Sequence, residues 1–234
     1  MKSAHSEVGD FVKVRQLLPL ALVANSWLGC AHQLPARRTP QPRDAAESQT
    51  PQSLASDRET LVRWAQKQVG RHIYADCSDF IVRGYRSVGL RLQSAGHRRD
   101  NGVTAIYRYA ASQGTVFRRG LPLPGDLIFF RDTYDANRDG RVNDGLTHIG
   151  LVERIDDNRT VWFIHRLRQG VVRHHLNLDL PHQRTQGGSG AILNDFLRVA
   201  EGKGETLTGE LFFAYGSVLT EQIKDPGYSN LPGS

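Results

Sequence analysis

Apolar residues recur along this chain with two different periods, and the change from one to the other divides it into a helical first half and a strand-forming second half. Ser56-Asp57-Arg58-Glu59 has the spacing of a capping box, and Leu61, Trp64, Ala65, Gln68 and Val69 then follow helical spacing up to a stop at Gly70. After a loop, Arg71 to Ala75, the residues Phe80, Ile81, Gly84, Tyr85 and Val88 recur three and four apart, which predicts a helix opening at Cys77 and ending near Gly89. Val103 to Ser112, bearing Ile106, Tyr107 and Ala110, predicts a third helix. Beyond the turn Leu121-Pro122-Leu123-Pro124-Gly125-Asp126, the runs Leu127–Phe130, Ile149–Glu153 and Val161–Ile164 are short, apolar and bounded by turn residues, as strands are, and Val171–Leu176 adds a fourth. Asn194–Ala200 reads as helix and Leu207–Tyr215 as helix or strand. Helices first and strands after predict an α+β domain with an antiparallel sheet rather than the alternating units of a parallel one.

The residues ahead of this domain have a different character. Lys2, Lys13 and Arg15 precede an apolar run from Leu17 to Leu28 that is too short to span a bilayer but suits the core of a secretory signal. The run ends Trp27-Leu28-Gly29-Cys30, which resembles a bacterial lipoprotein cleavage box, so residues 1–30 are expected to be a signal peptide and Cys30 the lipidated residue. Residues 31–55, rich in Pro, Gln, Arg, Ser and Ala, hold too little apolar surface to offset the entropy of ordering and are expected to form a disordered tether. The folded domain is then 56–220, followed by a tail, 221–234.

Composition narrows the function. The chain has 234 residues and two cysteines, too few for a disulfide framework. Its net charge of +6 favours anionic partners such as an acidic wall polymer or a membrane surface. The basic residues are scattered, without zinc-finger spacing or an RNA-binding aromatic pattern, so nucleic acid is not an expected partner.

Cys77 at a helix start is the strongest chemical signal. Unpaired N–H groups and the positive end of the helix dipole both favour a thiolate and can later hold an oxyanion. The alternative is a buried structural cysteine. His148 precedes Ile149-Gly150-Leu151-Val152, so alternation puts it on one face with Gly150 and Val152, where the glycine leaves room for a close approach. His165 closes Val161–Ile164 on the face of Phe163 and would stand beside His148 if the two strands pair. Each histidine alone is equally compatible with an ordinary satisfied polar group.

Taken together, Asp76-Cys77-Ser78-x-Phe80, Gly125-Asp126-Leu127-Ile128-Phe129-Phe130, Thr147-His148-Ile149-Gly150-Leu151-Val152 and the histidine ending the next strand resemble, in order and spacing, the NlpC/P60 family of cell-wall cysteine peptidases. The resemblance runs from about Asp57 to His165. It implies a papain-like α+β core, with Cys77 as nucleophile, His148 as base and His165 as the orienting residue. Tyr74 stands in for the tyrosine that the family carries in a longer stretch ahead of the cysteine. Ser78, through its N–H, and Tyr74 are then the oxyanion and substrate-binding residues. The chemistry expected is a thiolate–imidazolium pair formed against the opposition of Asp76 and Asp79. The implied activity is cleavage of an amide bond in peptidoglycan stem peptides, between D-glutamate and diaminopimelate, by a monomer anchored to the outer membrane by its N-terminal lipid, or alternatively secreted. A CHAP-type amidase, an acyltransferase on the same framework and a non-catalytic, calcium-stabilised wall-binding module are the alternatives.

No cofactor is required for that chemistry, but a loop before His148 suggests a structural ion. Asp135-x-Asn137-x-Asp139-Gly140-x-Val142 follows the first two-thirds of an EF-hand loop, with Leu146 where the closing glutamate belongs. A Ca²⁺ held between residues 132 and 146 would use Asp135, Asn137, Asp139, the Arg141 carbonyl and Asp144, with Asp132 or Asn143 as further oxygen donors, against the plainer reading of a turn rich in Asp, Asn and Gly. His174, His175 and His182 are left unassigned, since adjacent histidines on a strand point to opposite faces.

Overall fold

The computed structural model describes residues 50–92, 100–200 and 204–220. The signal-like segment, Cys30, most of the expected tether and the tail 221–234 lie outside the described residues. Helix α1 (Pro51–Gln66) begins ahead of the Ser56 capping box. Thr50 is its N-cap, accepting the Ser53 N–H, and Pro51 takes the first turn, where a missing N–H costs nothing. The last residues assigned to the tether are therefore helical, with Leu54 already in the core. Helix α2 (Cys77–Arg86) and helix α3 (Gly102–Gln113) follow the predicted spans closely. Phe80, Ile81 and Tyr85 of α2 are fully buried, about 1.5–3 kcal/mol of apolar transfer each.

Among the described residues eight strands follow: β1 (Thr115–Phe117), β2 (Leu127–Arg131), β3 (Leu146–Ile155), β4 (Val161–Leu167), β5 (Gly170–Leu176), β6 (Phe196–Ala200), β7 (Gly204–Leu207) and β8 (Phe212–Ser217), with the single turn α4 (Thr208–Leu211) before the last. Six form one antiparallel sheet in the order β1-β8-β2-β3-β4-β5, and β6 and β7 form a separate hairpin. The described part of the chain is thus α+β, with its first helices packed on an antiparallel sheet. Leu127, Phe129, Ile149, Leu151 and Ile164 face the helices and join Leu61, Phe80, Ile81 and Tyr85 in one core. Ile128, Phe130, Val152, Phe163 and Tyr215 face the other way and are covered by Leu211, Leu178 and Leu197.

Two segments differ from expectation. Residues 194–200, read as helix, are two irregular residues and then β6, because the side chains that open the segment are committed to β5 and its exit. Asn194 Oδ1 accepts the Asn177 N–H and Asp195 accepts that of His175. The segment 207–215 splits into α4 and β8, and β8 lies between β1 and β2 rather than at an edge. The turn at Gly125-Asp126 is a tie point. Asp126 pairs with Arg58 of α1 at 2.8 Å, Arg58 also donates to Pro124 O, Ser217 Oγ and Leu219 O, and the Tyr85 hydroxyl donates to Gly125 O.

Candidate active site

Asp76 caps α2, its Oδ1 accepting the Asp79 N–H at 2.8 Å and the Ser78 hydroxyl at 2.7 Å. That geometry leaves Cys77 as the first helical residue with its sulfur among backbone donors: the N–H groups of Cys77 and Ser78 and, from β3, of Ile149. The first turn of α3 closes tightly on this point, since a Cβ at Gly102 would lie 2.2 Å from Ser78 Oγ. Asn101, the N-cap of α3, donates to Leu146 O and so ties the start of β3 to the same corner.

Cys77 is a free, half-buried thiol. Burial, and then the Asp76 carboxylate, push it up to about 11, although the three N–H groups pull the other way. Burial, aided by the charge of His174, brings His148 down to about 4, and His165 well below the ordinary histidine value. The thiolate–imidazolium pair expected from the sequence is therefore not the resting state. The thiol and both imidazoles are neutral at pH 7, because desolvation and Asp76 outweigh the helix start at Cys77 and burial outweighs protonation at the histidines.

His148 and His165 share the sheet face opposite the helices, as alternation predicted, and His148 Nε2 lies 2.7 Å from His165 Nδ1. His165 is fully buried and His148 is 6% exposed. Gly150 allows this pairing: a Cβ there would meet Phe163 Cδ2 at 2.8 Å and His165 Cβ at 3.3 Å, so what approaches the glycine is the neighbouring strand's own side chains. No hydrogen bond joins the Cys77 sulfur to the His148 ring. Sulfur and base are brought to the same strand through the Ile149 amide, one residue along from His148.

The other expected residues divide. The Ser78 N–H is at the sulfur while its hydroxyl serves Asp76. Tyr74 is 96% exposed, offers its carbonyl to Arg83, and lines an open pocket of about 450 Å³ with Ala75, Asp76, Asp79, Arg83 and Arg166. In the loop, the side chains expected to hold calcium accept from backbone N–H groups. Asp135 accepts from Asp139 and Gly140, Asn137 from Asp139, Asp139 from Arg141, Asp144 from Ala136 and Asn137, and Asp132 from Gly145. Among the described residues no group of three or more His, Cys, Asp or Glu is placed to hold a metal. The same loop brings Tyr134 near the cysteine. Burial, then Cys77, Asp76 and Asp144, raise its hydroxyl. Nothing in the sequence distinguished Tyr134 from any other loop residue. His175 pairs with Asp195 and His182 with Glu210, so the three unassigned histidines do not converge.

No family model matches the chain, and no curated protein or solved structure matches it either.

Proposed function

We propose that the chain is a peptidoglycan hydrolase, a cysteine endopeptidase of the NlpC/P60 type with a papain-like core, cutting the D-glutamate–diaminopimelate amide of stem peptides. The observation that carries this is the 2.7 Å pair between His165 of β4 and His148 of β3, the strand whose Ile149 N–H meets the Cys77 sulfur at a helix start. Because His148 Nε2 is taken up by His165, Nδ1 is the nitrogen left for the thiol. As sulfur attacks the carbonyl carbon, the S–H proton passes to His148 Nδ1, so ionisation coincides with bond formation rather than preceding it. The Cys77 and Ser78 N–H groups stabilise the oxyanion. His148 returns the proton to the departing amine, the C–N bond breaks, and water activated by the same ring hydrolyses the thioester and restores the thiol.

Arg83 and Arg166 share a pocket with Asp76 and Asp79 next to the start of α2, and the net charge of +6 suits a substrate rich in carboxylates. The basic, apolar leader ending at Cys30 supports export to the cell envelope and lipid anchoring at the outer membrane, and no helix among the described residues is long and apolar enough to cross a membrane. The test is mass spectrometry of purified muropeptides incubated with the full chain and with Cys77→Ala. Free diaminopimelate-terminated peptides are expected from the parent, and a loss of at least about a thousandfold from the variant. Products with a freed muramic-acid lactyl group would indicate an amidase instead, and equal turnover by the variant would refute a cysteine mechanism.

A further inference from the structure

The base has to hold one tautomer, and the structure contains a residue suited to fixing it. This inference rests on the proposed role of His148. A His148 that accepts the thiol proton on Nδ1 carries its own proton on Nε2 and donates it to His165 Nδ1. Neutral His165 then carries its proton on Nε2, a fully buried atom that has no hydrogen-bond partner in the structure. A buried N–H left in this state costs about 1–3 kcal/mol and is rarely tolerated. The adjacent ring on β5 is His174, 4.6 Å from His165 between centroids, and its Nδ1 is also buried and without a partner. One buried nitrogen must donate and the other is free to accept.

We infer that His174 is a positioning residue whose Nδ1, once its ring turns towards β4, accepts the His165 Nε2 proton, extending the His148–His165 pair to a third ring and so keeping His148 Nδ1 bare for the thiol proton. Without it, His165 gains by moving its proton to Nδ1. That proton would oppose the His148 Nε2–H across 2.7 Å and force His148 into the tautomer that presents an N–H to the sulfur. The charges nearest His174 are Asp195, which favours its protonation, and His175, which opposes it; Phe163 and His165 of β4 provide the remaining ring contacts.

The experiment is ¹⁵N NMR of histidine tautomers in the full-length protein, wild type against His174→Ala, His174→Phe and His174→Asn, with kinetics on muropeptides alongside. The wild type should show His148 and His165 both as the Nε2–H form. Alanine should mix the tautomers of both rings and lower kcat about tenfold at unchanged KM, and asparagine, which keeps an acceptor near the Nδ1 position, should restore both. Phenylalanine keeps the ring, removes the nitrogen and serves if the alanine variant does not fold. Wild-type tautomers in both the alanine and phenylalanine variants would overturn the inference, as would asparagine behaving like alanine. Because the tautomer measurement needs no turnover, absence of hydrolysis by the wild type would defeat the proposed function without touching this result.

Discussion

At Cys77 the favourable helix start loses to desolvation and to one carboxylate, and this sets the pH behaviour of the site. Iodoacetamide should label Cys77 slowly at pH 7 and faster as the pH rises towards about 11. Asp76→Asn keeps a capping acceptor and removes the charge, so it should move the labelling midpoint down; an unmoved midpoint would show that burial alone sets it. The acid limb of kcat/KM should fall well below the ordinary histidine value, since His148 stays neutral down to about pH 4. The cysteine and both strand histidines were legible because spacing and strand alternation are local properties of sequence. Tyr134 and His174 were not. One owes its position to a fourteen-residue excursion between β2 and β3, and the other to β4–β5 register, and neither is encoded by the neighbours of the residue itself.

Among elements, the β3–β4 contact depends on the smallest side chain available. Gly150→Ala should cost about 1–3 kcal/mol in a denaturant titration, because Phe163 and His165 must both give way, and it should lower activity further than its stability loss explains by pushing His165 off His148. A variant equally stable and equally active would show that the strands absorb the methyl group. Arg58→Ala, leaving the Asp126 carboxylate buried at the turn into β2, should cost about 3 kcal/mol with little change in kcat. The helices were readable from their apolar period, but the start of α1 was misplaced. Ser56 and Glu59 have the spacing of a cap, whereas Thr50-Pro51 makes the actual one, and the extra turn buries Leu54. Asn194 and Asp195 were read for helix propensity while their side chains answer to β5, a contact no window of sequence contains.

Across the whole molecule, the α+β class followed from the order of helical and strand patterns, but the strand order did not, since β8 reaches the sheet only through non-local pairing with β1 and β2. Stability should respond to acid through the buried histidines. Both hold pKa values below those of the unfolded chain, so the unfolded state binds more protons as pH falls from about 6.5 towards 4, and the melting temperature should drop across that window. A flat profile would mean that the rings reach solvent more freely than their burial implies. The position of β8 also bears on synthesis. A nascent chain ending between His165 and Phe212 would hold the thiol and both histidines, yet β2 would lack one of its two partners, so the six-stranded sheet closes only once β8 has been made. Protein truncated after Leu211 should accordingly show no cooperative melting, because β2 would be left with one exposed edge where β8 now pairs.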